Sequence, residues 1–313
     1  MRRLTATFLL SVCLLFSFIS FSQTAPLLNA IKNNDITEGI ALLKSGADIS
    51  VVDDDSDNVL MYAALYASYD YMKLLLEKGA NPNAKNKLKE TAIIWCTHDI
   101  NKTQLLLDYK AEVNIRTTTG NTVLLSACVG QAQTAMIKLL LQHGADPLVI
   151  NDRKETSLML AAIYGDTALA RLLVNKGVDI NIKGIEKFTA IYFAIKSGNT
   201  DMVSWLVANG ADVNVIDVYN ATPLSYAVIT GDMKMINALL DKTTGINEQD
   251  IDGMTILMWA IYNEHDKPEI VQALLNKGAS LTPKDKWGNT ALGWALKKGN
   301  TPTAVLLKKA GAL

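Results

Sequence analysis

Several things are scarce in this sequence, and each shortage closes a class of explanation. There are only three cysteines in 313 residues, too few for a disulfide scaffold, which a chain of this length does not need. Histidine is equally rare. His98, His143 and His265 never stand at i, i+4 spacing, so no zinc-protease helix is written here. His98-Asp99 and Glu264-His265-Asp266 read as polar residues of irregular loops rather than as metal or acid–base sites. There is no Gly-x-Ser-x-Gly elbow and no phosphate-binding glycine loop. Asp53-Asp54-Asp55 is acidic, but it lacks the ligand order of a calcium hand and reads as a hairpin tip. No charge dominates, with 30 Lys+Arg against 31 Asp+Glu, so the electrostatic footprint required by a phosphate backbone is missing. The expectation is a non-enzymatic protein with no cofactor, no metal and no nucleic-acid partner.

What is present begins at the N-terminus. Met1-Arg2-Arg3 is a short basic start, Leu4 to Phe21 is an apolar run broken only by Thr and Ser, and Ser20-Phe21-Ser22 offers small residues before Gln23. That order is the pattern of a cleavable signal peptide over residues 1–22. An uncut segment of this length would instead tether the chain to a membrane. The expected location is periplasmic or extracellular. The other two cysteines, Cys96 and Cys128, fall at small-residue positions of expected inner helices and read as buried thiols.

From residue 23 to 313 one pattern organises the chain. Units open at Ala25, Asn58, Thr91, Thr122, Thr156, Thr189, Thr222, Thr255 and Thr290, 31 to 35 residues apart. Two positions later stands an aliphatic residue every time: Leu27, Leu60, Ile93, Leu124, Leu158, Ile191, Leu224, Leu257 and Leu292. A period near 33 signals a repeat architecture. Within the fifth unit Thr156 suits a helix N-cap, Ala161 and Ala162 permit close helix approach, Gly165-Asp166 marks a turn, and Gly177 ends a second helix.

These residues resemble the ankyrin repeat. Thr222-Pro223-Leu224, Leu139-Leu140-Leu141, Gly144-Ala145-Asp146-Pro147, Gly79-Ala80-Asn81-Pro82-Asn83 and Gly210-Ala211-Asp212-Val213-Asn214 follow the family pattern, over residues 25 to 313. The family's histidine is absent from every unit, and Met61, Met159 and Met258 stand in its place in three of them. Lys110 and Thr243 replace the terminating glycine in two units. The resemblance implies an all-α solenoid of about nine helix-turn-helix units joined by β-hairpin loops.

It also implies a protein partner, met by the concave surface and the hairpin tips. The residues expected there are Tyr66, Tyr164 and Tyr262 after the Ala-Ala pairs, with Tyr219, Trp287, Arg116 and Arg153 at the tips. Tyrosine and tryptophan supply contact area at low entropic cost. A second aromatic series, Tyr62, Trp95, Phe193, Tyr226, Trp259 and Trp294, reads as packing between repeats and not as a binding ladder. A monomer is expected, binding a protein of unknown identity. The alternatives are an envelope scaffold tethered by an uncut leader and a stabiliser or inhibitor of a co-exported enzyme.

Overall fold

The computed structural model describes residues 26–129, 134–263, 267–299 and 301–313. The leader, Cys13, Ala25 and His265 lie outside them. By backbone packing the chain divides into two compact units, residues 1–115 and 116–313.

The first unit holds α1 (Pro26–Lys32), α2 (Ile36–Lys44), α3 (Val59–Tyr66), α4 (Tyr69–Glu77), α5 (Ala92–Trp95) and α6 (Ile100–Asp108). The second holds α7 (Val123–Ala127), α8 (Thr134–Gln142), α9 (Ser157–Tyr164), α10 (Thr167–Asn175), α11 (Ala190–Lys196) and α12 (Thr200–Ala208). It continues with α13 (Pro223–Thr230), α14 (Met233–Leu240), α15 (Ile256–Tyr262), α16 (Pro268–Asn276), α17 (Ala291–Lys297) and α18 (Thr301–Lys309). Within each unit, odd-numbered helices pack against one another in an inner row and each also packs on the even-numbered helix that follows it. The architecture is an all-α repeat solenoid.

The repeating aliphatic positions explain the core. All nine, from Leu27 to Leu292, are at most 5% exposed, and burying each stabilises the fold by about 1.5–3 kcal/mol. Helix starts are held by their opening residues. The side chains of Asn58, Thr122, Thr156, Thr222, Thr255 and Thr290 accept backbone amides of the first turn. Asp35, Ser68, Asp99, Asp166 and Asp232 do the same for second helices. Thr91 and Thr189 open their helices without a side-chain cap, and α5 stops after four residues.

The loops fold back as hairpins but form no extended strands among the described residues. Three isolated bridges, Val52 to Asn58, Ile150 to Thr156 and Gln249 to Thr255, mark their bases. Each tip closes on one rung, such as the amide of Asp285 donating to the carbonyl of Asn289 at 3.0 Å. The two missing terminal glycines are handled differently. Lys110 enters the left-handed region at φ 66°, a conformation a side chain disfavours. At the other site the Thr243 hydroxyl donates to the carbonyl of Leu239 at 3.0 Å. Cys96 and Cys128 are free and buried. Burial pushes their thiols up to about 11 and about 12 respectively, so at neutral pH both are protonated and poorly nucleophilic.

Candidate functional site

The hairpin tips are organised by an acid. Asp53, Asp217, Asp250 and Asp285 each accept the amides two and four residues ahead with one carboxylate oxygen. The other oxygen takes the donor of an aromatic ring nine residues ahead. Tyr62 donates to Asp53 at 2.7 Å, Tyr226 to Asp217 at 2.6 Å, Trp259 to Asp250 at 2.7 Å and Trp294 to Asp285 at 2.7 Å. A charged acceptor makes such bonds roughly twice as strong as neutral ones. In the hairpin that leads to Thr91, Asn86 holds the Glu90 amide instead, and Trp95 donates to the Glu90 carboxylate at 2.9 Å.

The ties affect the electrostatics. Burial raises the pKa of Asp53, but hydrogen bonds from Lys32, Tyr62 and the Asp57 amide outweigh it and bring the carboxyl down to about 2. Asp285 moves the same way: the Asn289 amides and the Trp294 and Trp287 donors overcome its burial and lower it. Tyr226 is pushed up, first by burial and then by its bond to Asp217. The aromatic frame therefore does pack between neighbouring repeats, as expected. Tyr62 meets Trp95 edge-on at 5.5 Å, and Tyr262 meets Trp294 edge-on at 5.0 Å.

Packing is only half of what that frame does. In the second unit it walls two adjoining pockets that share Trp259 and Asp252. One, of about 450 Å³, is lined by Met254, Trp259, Tyr262, Trp287 and Trp294 with Asp252, Asn289 and Lys297. The other, of about 230 Å³, is lined by Tyr219, Tyr226, Ile229, Ile251 and Trp259 with Asp250 and Asp252. Because the indole N–H groups of Trp259 and Trp294 point at Asp250 and Asp285, they are already satisfied. The rings of these walls are left to offer apolar surface.

The structure brings three of the seven expected contact residues into this place: Tyr219, Tyr262 and Trp287, all exposed. Tyr164 is exposed at the end of α9, and Arg153 is exposed at a tip; neither lines these pockets. Tyr66, in the first unit, is half exposed and stacks on Tyr62 at 6.4 Å. The Arg116 guanidinium donates to the Ile150 carbonyl at 2.9 Å, tying one hairpin to the next. Sequence reasoning left Trp259, Trp294 and Tyr226 off the surface. The missed signal was the interval of nine residues between an acid and a ring that can donate.

Other ties hold neighbouring repeats in register. Asn83, Asn181, Asn214 and Asn247 each donate to a carbonyl and accept an amide in the following repeat, as Asn181 does with Gly210 at 3.2 Å and Asp212 at 2.8 Å. Buried Lys102 caps the Ala64 carbonyl at 3.1 Å, and Lys267 reaches Gly231 at 2.7 Å. Among the described residues no three His, Cys, Asp or Glu side chains converge as a metal site would require, and no helix is long and apolar enough to cross a membrane.

Paired helices stacked in rows, with hairpin tips alongside, define an all-α repeat scaffold. A family model described as ankyrin repeats (3 copies) matches residues 12–86, 93–184, 158–250 and 239–312, and the chain belongs to the ankyrin-repeat family. It is 32% identical over 131 residues to an ankyrin repeat protein of Acanthamoeba polyphaga mimivirus, covering 34% of this chain and 23% of that one. It is also 32% identical over 136 residues to an ankyrin repeat protein of Fowlpox virus, covering 42% and 40%. A segment of 53 residues is 45% identical to a transient receptor potential cation channel subfamily A member 1 homolog of Caenorhabditis elegans, 17% of this chain and 4% of that one. The chain thus spans less than half the length of these relatives.

Proposed function

We propose that this chain, as nine repeats, is an exported binding module whose protein partner docks on the aromatic face of the second unit. The observation that carries the reading is the pair of adjoining pockets around Trp259. Tyr219, Tyr262 and Trp287 expose large rings beside them, and exposed aromatic clusters of this kind are the usual anchors of protein interfaces. Export rests on the basic start and apolar run of residues 1–22; N-terminal sequencing of the mature protein should then begin at Gln23.

The docking reading is tested by affinity capture from the native envelope fraction. The wild type is compared with a Tyr219→Ala/Tyr262→Ala/Trp287→Ala variant and with a Tyr66→Ala/Tyr164→Ala variant, each first checked for native circular dichroism. A protein kept by the wild type and the second variant but lost by the first supports the site. Loss with the second variant alone moves the contact away from it. Equal retention by all three moves the contact to other tips. No specific capture at all favours a scaffold tethered at the envelope.

A further inference from the structure

A lysine completes two of the four aspartate–ring ties and is missing from the other two. Lys32 lies over the Tyr62 ring at 4.5 Å and pairs with Asp53; Lys297 lies over the Trp294 ring at 5.3 Å. At Asp217–Tyr226 and Asp250–Trp259, no cation among the described residues lies over the ring or within ion-pair range of the carboxylate. Both carboxylates accept only from neutral donors, backbone amides and the Tyr226 O–H or Trp259 N–H. Such donors hold an anion without cancelling its charge, and a ring that donates to an anion becomes more attractive to a cation. The repeat shows why the lysine is missing. Lys32 stands seven residues after Ala25, and Tyr62 four after Asn58. In the same frame Ile229 precedes Trp259, while Lys196, which precedes Tyr226, lies over Phe188 at 4.6 Å instead. Tyr226 and Trp259 both wall the smaller pocket, together with Ile229 and Asp250.

The charges around that pocket point the same way. From Ala190 to Asn276 the chain carries eleven acids, four lysines and no arginine, within a protein of net charge −1. None of the four lysines lines the pocket. Lys196 lies over Phe188, Lys242 and Lys267 donate to the Val207 and Gly231 carbonyls, and Lys234 is exposed on α14. Asp252 also lines the pocket but is paired with Lys286, so the uncancelled charge there is that of Asp217 and Asp250. The preceding tip carries Lys183, Glu186 and Lys187, all exposed and outside the pocket lining. We infer that the pocket takes a basic segment of the protein partner, which sets one lysine or arginine against Tyr226 and Trp259 in the field of Asp217 and Asp250. A phosphate backbone would be repelled by the same acids. A free organic cation would leave the rim unused, where Ile251 is 62% and Tyr219 44% exposed. The apolar stem and the neighbours of a basic residue would cover that rim.

The inference rests on the docking reading and is separable from it. The full mature chain is used to select from a random displayed peptide library, and selected peptides are synthesised for fluorescence-polarisation titration. Selected sequences are expected to share a lysine or arginine, whose replacement by norleucine or citrulline lowers affinity at least about tenfold. Ile229→Lys places a lysine where Lys32 stands in the first unit, so it should fill the site from within and weaken the peptides at least about tenfold. Ile229→Leu should leave them within about twofold of the wild type. Thermal midpoints of both variants are measured alongside, and the norleucine and citrulline peptides carry the test on the unaltered protein. Selected peptides without a basic residue, no selection at all, or affinities indifferent to its replacement or to Ile229→Lys would overturn the inference. So would argininamide alone matching the peptides in affinity, because the occupant would then be a small organic cation. In those cases a partner captured from the envelope and lost with the Tyr219, Tyr262 and Trp287 substitutions would still stand; only its recognition chemistry would differ.

Discussion

The Asp53–Tyr62 tie of the first unit and the Asp285–Trp294 tie of the second use the same interval and the same backbone clasp, but their surroundings part company. At the first, Lys32 sits over the Tyr62 ring at 4.5 Å and also reaches the Asp53 carboxylate at 2.7 Å. Cation, ring and acid there form a closed, charge-balanced set. At the second, Lys297 sits over the Trp294 ring but is held by the neutral Asn289, and the ring faces an open pocket. One local motif thus completes a structural joint in one place and leaves a charged, aromatic hollow in another. The lesson is that the third partner, the lysine, decides the outcome rather than the acid–aromatic tie.

The largest test of this comparison removes the ring. Trp294→Ala should destabilise the second unit by about 3 kcal/mol, because a large half-buried group and its charged hydrogen bond go together. Trp294→Phe should recover most of that loss, since packing returns without the bond. Urea denaturation of the two variants checks both; equal losses would mean that the bond to Asp285, and not the packing, dominates.

A smaller effect is expected from acid. The folded value of Asp53, about 2, lies below its ordinary 3.8. Its contribution is therefore complete above the ordinary value and is lost as pH falls through about 2. That contribution is about 2 kcal/mol. Asp53→Asn should flatten this part of the stability curve, measured by urea midpoints between pH 5 and pH 2; an unchanged acid limb would show that the tie is not charge-dependent.

The finest test sets the two lysines against each other. Lys32→Ala breaks a part-buried ion pair and should cost about 1 kcal/mol, whereas Lys297→Ala should change stability by less than about 0.5 kcal/mol. Thermal midpoints of the paired variants decide it. Equal losses would make Lys297 a structural residue as well.

Much of the fold was legible because it is local. A threonine two residues before a buried aliphatic, an Ala-Ala pair and a terminal glycine recur along the chain, and each acts through its own turn or its nearest helix. Met61, Met159 and Met258 sit buried where the family carries histidine, so losing that polar group did not disturb packing. The candidate surface was less legible. Tyr262 stands out by its place after the Ala position and Tyr219 and Trp287 by their place at hairpin tips, whereas Trp259 and Trp294 read as packing, and only the fold shows that their half-buried rings line a pocket as well. Arg116 read as an exposed tip cation, but its reach to the Ile150 carbonyl depends on where the next hairpin folds.

By itself the sequence determined the repeat, the helical pairs, the caps and the row of buried aliphatics, since these follow from spacing and from the preferences of single residues for turns and helix ends. Only the tertiary structure decided which rings share a pocket, which acids are engaged by amides and indoles, and which lysine meets an acid and which a neutral amide. Those outcomes depend on side chains nine or some thirty residues apart meeting across a folded hairpin, and no periodicity along the chain records such a meeting.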